Sequence, residues 1–430
     1  MDDLQQDGES AGHDLPRVTY RLPYALGAFG VTSFRFQWPA DLLTSWASEM
    51  EGIILGWYII VETGSVLLLT LFGSLQYAGT LLSPLFGVIG DRIGHRNLLC
   101  IMRAFYGACA TTIMTLALTG VLTPVYVLVI GGCMGLVRPS DLVMRNALVG
   151  ASMPPTVLIS AAGVMRTTMD SARVAGSLVG AGLFAAFGMG HAYLVIATFY
   201  ALSFCLTLGA YRGSKRDTPG RFSPWRDLSE GFVYVWTTPA AVSTMVLALL
   251  VNFSAFPVTQ GLMPYVASQI YHIDQQGLGL LIASFAFGSL VGSIALSIGG
   301  RSIRPGRVML TSITAWYAML FVFALLPNAG TGMPVLILAG FAQSLGMVPM
   351  SVILLRTSDD RFRGRVMGVR MLAVYGLPLG LLLAGALIER IGYLSTVTLY
   401  CVVGSGLTSL IAFCWRAELW GVEGAANIRP

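Results

Sequence analysis

The chain has 430 residues, of which 55% are hydrophobic and only 11% charged, with a mean hydropathy of +0.73. A soluble domain carries about 25% charged residues, so this chain has too few ionisable groups to cover its surface in water and reads as an all-α integral membrane protein. The formal net charge of +5 does not imply nucleic acid as a partner. The basic residues sit in short loops between apolar runs, where membrane topology accounts for them.

The N-terminal stretch carries Asp2, Asp3, Asp7, Glu9 and Asp14. That composition does not fit a cleavable signal peptide, so the first span is expected to direct insertion. Residues 22–34 are apolar but too short to cross alongside that span, and 1–35 is read as a cytosolic and interfacial segment. Runs long enough to cross about 30 Å of hydrocarbon follow near 36–61, 66–89, 98–120, 124–149, 157–187 and 191–211. A polar stretch, 212–239, separates these from six more near 240–267, 277–299, 306–326, 333–356, 366–388 and 392–416, and 417–430 forms a tail. Twelve spans divide into two six-helix bundles, 36–211 and 240–416. Two parallel repeats packed about a central space leave that trace.

Alternate loops differ sharply in basic residues. One side holds Arg92 and Arg96, then Arg212, Lys215, Arg216, Arg221 and Arg226, then Arg301, Arg304 and Arg307, then Arg361, Arg363 and Arg365; the other holds Arg390. Positive charge resists translocation, so the basic side, with both termini and the 212–239 linker, is expected to be cytosolic. Cys100, Cys109, Cys133, Cys205, Cys401 and Cys414 fall in or at the ends of apolar stretches, without metal-ligand spacing, and read as small core residues. Gly131 with Gly135, Gly176 with Gly180, Gly288 with Gly292 and Gly376 with Gly380 repeat at helical spacing, which lets backbones approach closely, for sliding or for tight packing.

Between the second and third spans the chain reads Gly87-Val-Ile-Gly90-Asp91-Arg92-Ile-Gly94-His95-Arg96-Asn-Leu-Leu99. The glycines permit a tight turn, and Asp91, Arg92 and Arg96 can reach opposite charges or lipid phosphates. This stretch resembles the signature of the major facilitator superfamily, with His95 where a second Arg is usual. A weaker echo, Gly299 to Arg307, stands between spans eight and nine. Asp359 to Gly368 resembles a segment of bacterial exporters of the enterobactin-exporter and macrolide-efflux branch, with Asp359 in place of Pro. The resemblance covers about 36–416. It implies a twelve-helix efflux carrier in the inner membrane, with the cluster at 87–96 latching the two halves together when the protein faces outward.

Charge within a span is costly and marks functional candidates. The fourth span has Arg138, Asp141 and Arg145; the fifth has Arg166, Asp170 and Arg173. Each trio lies along one helical face. The pairs 138 and 173, 141 and 170, and 145 and 166 are equidistant from the turn at Ser152 to Pro155, so level groups are expected to face each other. They read either as a network fastening the two helices or as arginines facing the central space to attract an anionic substrate. In the first span, Glu49 lies mid-membrane and is the candidate for proton coupling, with Asp41 nearer the cytosol. In the second half, Asn252, Gln260, Gln343 and Tyr375 are the candidate cavity residues. Helix-helix hydrogen bonding is their alternative use.

These features predict proton-driven export of a small amphipathic or anionic organic solute, siderophore-like or drug-like, by alternating access in a single chain. No cofactor is expected; the proton gradient is the expected driving force. A carrier of a lipid-like anion or chelated metal, import included, is the alternative. Against a membrane enzyme or sensor, His13, His95, His191 and His272 form no cluster and no nucleophile set or phosphate loop is visible. The Arg-Gln-Gly and Gly-Pro elements common in drug/proton antiporters are also missing, at Arg138-Pro-Ser-Asp141 and Ser171-Ala-Arg173.

Overall fold

A computed structural model describes residues 24–210, 224–299, 304–357 and 363–420. The expected N-terminal tail to residue 23, the linker charges from Arg212 to Arg221, Arg301, Arg361 and residues 421–430 lie outside the described residues. In hydrocarbon every backbone N–H and C=O must be satisfied within the protein, which selects helices. The described residues are accordingly helical, with no strand among them.

The first span is α1, Thr32–Thr63, beginning four residues earlier than the hydropathy run. Phe34 is fully buried, so the apolar lead-in packs against the protein rather than lying free at the interface. Gly64, left-handed at φ 62°, ends the helix, and Ser65 caps α2, Val66–Leu75, by accepting a hydrogen bond from the Leu68 amide at 3.3 Å. A 3-10 turn, Ala78–Leu82, leads into α3, Ser83–Ile93; together they form one span bent by 52°. Then come α4, His95–Leu118, and α5, Pro124–Ser152. Next is α6, Pro155–Leu208, which breaks at Gly188 (φ 74°) into two spans.

In the linker, α7 covers Pro224–Thr237. The second half begins with α8, Pro239–Ser254, extended by π turns at Pro257–Gly261 and Val266–Ile270 on either side of α9, Met263–Tyr265. It continues with α10, Gln275–Gly299, α11, Pro305–Leu325, and α12, Ala329–Thr357. The chain then forms α13, Arg363–Ala373, and α14, Gly376–Ile391, which share a span, then α15, Tyr393–Cys414, and α16, Arg416–Trp420. Among the described residues nine stretches are long and apolar enough to cross. Dividing α6 at Gly188, joining α2 to α3, and admitting α1 brings the spans to twelve. The helix α1 is long enough at 32 residues but less apolar because it carries Asp41, Glu49 and Glu51.

Within the first half α6 packs on α1 and α4; within the second, α12 packs on α10 and α11. All four small-residue pairs lie inside a half: 131/135 against α2, 176/180 against α1, 288/292 against α12 and 376/380 against α8. They serve tight packing. The halves meet along α2 with α14, α6 with α10, and α1 with α9. A Cβ on Gly56 would stand 3.2 Å from Pro264, and one on Gly279 would stand 2.6 Å from Ala181. These residues lie toward the span ends at Gly64, Gly188 and Gln275, opposite the turn at Gly94. The space between the halves is therefore closed at the end remote from the 87–96 turn.

Candidate functional site

The charges in the first half form two buried clusters at different depths. The one nearer the Gly94 end joins four helices. Asp41 of α1 pairs with Arg103 of α4, whose guanidinium also donates to Thr207 of α6. Arg145 of α5 pairs with Asp141 at 2.5 Å, stands 3.6 Å from Asp41, and donates to the Asp41 carbonyl at 3.2 Å and Ser45 Oγ at 2.8 Å. Gln37 donates to the Arg145 carbonyl at 3.1 Å. All four charged side chains are buried and the cluster is neutral in sum. Removing two cations and two anions from water together is tolerable because each finds a partner. Gln37 Oε1, Arg103 Nε, Asp141 Oδ1 and Arg145 Nε remain buried without hydrogen bonds, so the geometry ties α1, α4, α5 and α6 together without saturating the cluster.

The second cluster lies at mid-span. Glu51, 1% exposed, accepts from Arg138 Nη2 at 2.6 Å, from the Tyr200 hydroxyl at 3.2 Å and from the Tyr193 hydroxyl at 3.5 Å. Arg138 Nη1 donates to Gln76 Oε1 at 2.7 Å, at the end of α2. The Tyr106 ring stacks at a tilt on Tyr200, with centroids 5.5 Å apart. In this low-dielectric setting the charged hydrogen bond between Arg138 and Glu51 is strong, and losing it leaves an expensive isolated charge.

Beside this pair, Glu49 and Arg173 are different in kind. Their groups approach to 3.8 Å, and the side chains keep 35% and 34% of their surface accessible. Charged groups so exposed near the middle of a span border an aqueous space, since lipid would not solvate them. Tyr77, at the break after α2, is within electrostatic reach of Glu49, Arg173 and Arg138. Arg138, Glu49, Arg173 and Tyr77 thus stand near one another at mid-span.

The expected facing of equal levels across α5 and α6 does not occur. Arg138 pairs with Glu51 of α1, Arg173 with Glu49 of α1, Asp141 with Arg145 within α5, and Arg166 with Asp170 within α6 at 3.1 Å. Helices joined by a short turn need not pack along their lengths. Here α1 stands between them, bonding α5 through Glu51 and α6 through Glu49. Glu51 and Arg103, which complete these pairs, carry the same sequence signal as the other candidates, a charge inside a span.

In the second half, Gln343 accepts from Ser289 Oγ at 3.0 Å, bridging α10 and α12. Asn252 donates to Ala248 O in its own helix at 2.8 Å, and both side chains are buried. Gln260 is exposed. Tyr375 donates to Ala78 O at 3.4 Å, across the two halves.

At the Gly94 end, Gly90 packs where a Cβ would meet Met144 Sδ at 2.7 Å, while Gly87 has open space. Gly94, at φ 91°, makes the turn from α3 to α4 that a side chain would strain. Asp91 and Arg92 are exposed, His95 Nε2 stands 3.8 Å from Asp91, and Arg96 Nε is buried without a hydrogen bond. These residues pack on α4 and α5 of their own half.

The model of the Major Facilitator Superfamily matches residues 38–381. The chain belongs to the major facilitator superfamily. It is 25% identical over 309 residues to the enterobactin exporter EntS of Citrobacter koseri, covering 70% of each chain. It is 26% identical to the multidrug efflux pump Tap of Mycolicibacterium fortuitum over 171 residues, 39% of this chain and 41% of Tap. Among solved structures, a mutant of the nucleoside transporter NupG superposes with a TM-score of 0.69 at 16% identity, over 89% of this chain and 99% of that one. A POT family transporter in complex with 5-aminolevulinic acid gives 0.70 at 13%, over 91% and 97%. Those two likenesses show the fold. The protein is thus a multi-pass membrane transporter for a small molecule and not an enzyme.

Proposed function

We propose that the protein is a proton-driven exporter of a small amphipathic organic solute bearing an anionic group, siderophore-like or drug-like, acting as a single chain by alternating access with both termini cytosolic. The observation that carries this reading is the loose, one-third-exposed pair of Glu49 and Arg173 beside Arg138 at mid-span. A closed ion pair would be scaffolding. An accessible one, with two arginines close together, offers a cationic landing point for an anion and a counter-charge that it displaces. Export rather than import is favoured by the names of the relatives EntS and Tap, whose described cargoes are enterobactin and multiple drugs.

The test is flux in proteoliposomes under an imposed pH gradient, with enterobactin as the anionic probe and a cationic dye as the contrast. Gradient-dependent movement of enterobactin, with Arg173→Gln slowing it more than it slows the dye, supports the reading. Rates indifferent to the gradient, or equal losses for both probes, overturn it. Gradient-driven accumulation in the import direction overturns export.

A further inference from the structure

The start of α11 and the last helix, α16, bring three cations and a tryptophan together where two spans end. Arg307, in the first turn of α11, and Arg416, at the start of α16, both lie over the Trp420 ring, with their guanidinium carbons 5.4 and 5.6 Å from its centroid. Arg304 stands three residues before Arg307, and all three arginines are exposed. The helix α16 is docked rather than dangling: Leu419 is fully buried, and its carbonyl sits where any side chain on Gly306 would strike it. A helix of five residues has no stability of its own, so its position depends on such contacts.

The electron-rich face of the ring attracts each guanidinium, yet the like charges repel each other. No carboxylate answers them. Among the described residues Arg304, Arg307 and Arg416 form no ion pair and donate no side-chain hydrogen bond, and Glu418, the one acid in α16, pairs with none of them. Arg304 and Arg307 also stand at the positive end of the α11 dipole, where a cation is disfavoured, and no side chain caps that helix. Every one of these features calls for an anion at the same place.

The surroundings say which kind. From Arg307 the exposed face of α11 continues through Thr311, Ala318 and Val322, and that of α15 runs through Leu407, Leu410 and Phe413 to Arg416. These two helices pack side by side. The arginines therefore cap a pair of lipid-facing stripes, and Trp420, 41% exposed, has the amphipathic ring that suits the headgroup layer.

We propose that Arg307, Arg416 and Trp420, with Arg304 beside them, form a binding site for the phosphate of an anionic phospholipid in the leaflet at the Gly94 end. The phosphate oxygens accept from the two guanidiniums that the ring holds, and the acyl chains lie along α11 and α15. Charge-assisted bonds from planar forks suit a phosphate. The lipid offsets the repulsion between Arg307 and Arg416 and ties α16 to the start of α11. Because α16 also packs on α8, the same lipid fastens the end of the second half to its beginning. The site depends neither on the solute carried nor on the direction of transport.

The experiment counts lipids bound to the full chain by native mass spectrometry, after delipidation in detergent, with phosphatidylglycerol and phosphatidylcholine of the same acyl chains in competition. Phosphatidylglycerol is expected to be preferred about tenfold, the worth of one charge-assisted hydrogen bond. Arg307→Gln and Arg416→Gln each remove most of that preference. Arg390→Gln, which deletes an exposed arginine at the opposite end, leaves it intact. Trp420→Leu keeps every charge and loses the preference, so the site remains testable if an arginine variant misfolds. No preference in the wild type, or a preference that survives Trp420→Leu or both glutamine variants, overturns the site. An equal loss in Arg390→Gln reduces it to general charge attraction. Displacement of phosphatidylglycerol by excess inorganic phosphate makes it a site for soluble anions and overturns the lipid assignment; phosphatidylglycerol that stays bound under excess phosphate supports it.

Discussion

The two halves have the same number of spans and share close glycine contacts, but among the described residues buried ion pairs are found in the first alone. In the first, Asp41, Glu51, Arg103, Asp141 and Arg145 are buried and paired across α1, α4, α5 and α6. In the second, the helices approach so closely that a Cβ on Gly340 would strike the Phe285 carbonyl and one on Gly288 the Ile337 carbonyl, and a neutral bond joins Ser289 to Gln343. Charge pairs respond to protons and anionic ligands. Backbone contacts respond to neither. The half that carries charge is the half that can be switched chemically, and the other can follow as a packed body.

The largest effect expected from breaking this contrast is at Arg103. Its side chain is fully buried on Asp41 and Thr207. Arg103→Met leaves Asp41 with a single cation at 3.6 Å and is expected to cost about 3–5 kcal/mol. The measurement is thermal unfolding in detergent followed by reaction of the buried Cys100 and Cys401 with a thiol dye. The second-half counterpart is Gly340→Ala, where the added methyl forces α10 and α12 apart. About 1–3 kcal/mol is expected from such overpacking, read in the same assay. If the charge deletion proves the milder of the two, the halves do not differ in the way described. Below these stands Gln343→Leu, which removes one neutral buried bond to Ser289. Its expected cost is about 1 kcal/mol in the same assay.

Much of the fold was legible because lipid makes it so. Length, apolarity and loop charge place the spans, and Pro124, Pro155, Pro239 and Pro305 stand in the first turn of helices where a missing N–H costs nothing. The site was legible in part. Arg138 and Arg173 pair with carboxylates of α1 rather than with the level groups across the turn. Equal distance from a turn does not give contact, because packing is decided by whichever helix fills the space between. Glu51 stands two residues from Glu49 and so faces another side of α1, toward Tyr193 and Tyr200 rather than Arg173. Hydropathy, which averages over a window, cannot separate two carboxylates so near in sequence.

The smallest expected effect on stability distinguishes those two carboxylates. Glu49 and Arg173 stand 3.8 Å apart with about a third of each side chain accessible, so water already solvates both charges and their mutual attraction is screened. Pairs of this kind contribute about 0–1 kcal/mol. The double variant Glu49→Gln with Arg173→Gln is expected to unfold within that margin of the wild type in the thiol-dye assay, while transport of an anionic probe falls steeply. A large loss of stability would mean that the pair braces α1 against α6 as Glu51 and Arg138 brace α1 against α5, and mid-span would lose its landing point for an anion. A stable protein that has lost selectivity for the anion places recognition at Glu49 and Arg173, separate from the buried charges that hold the first half together.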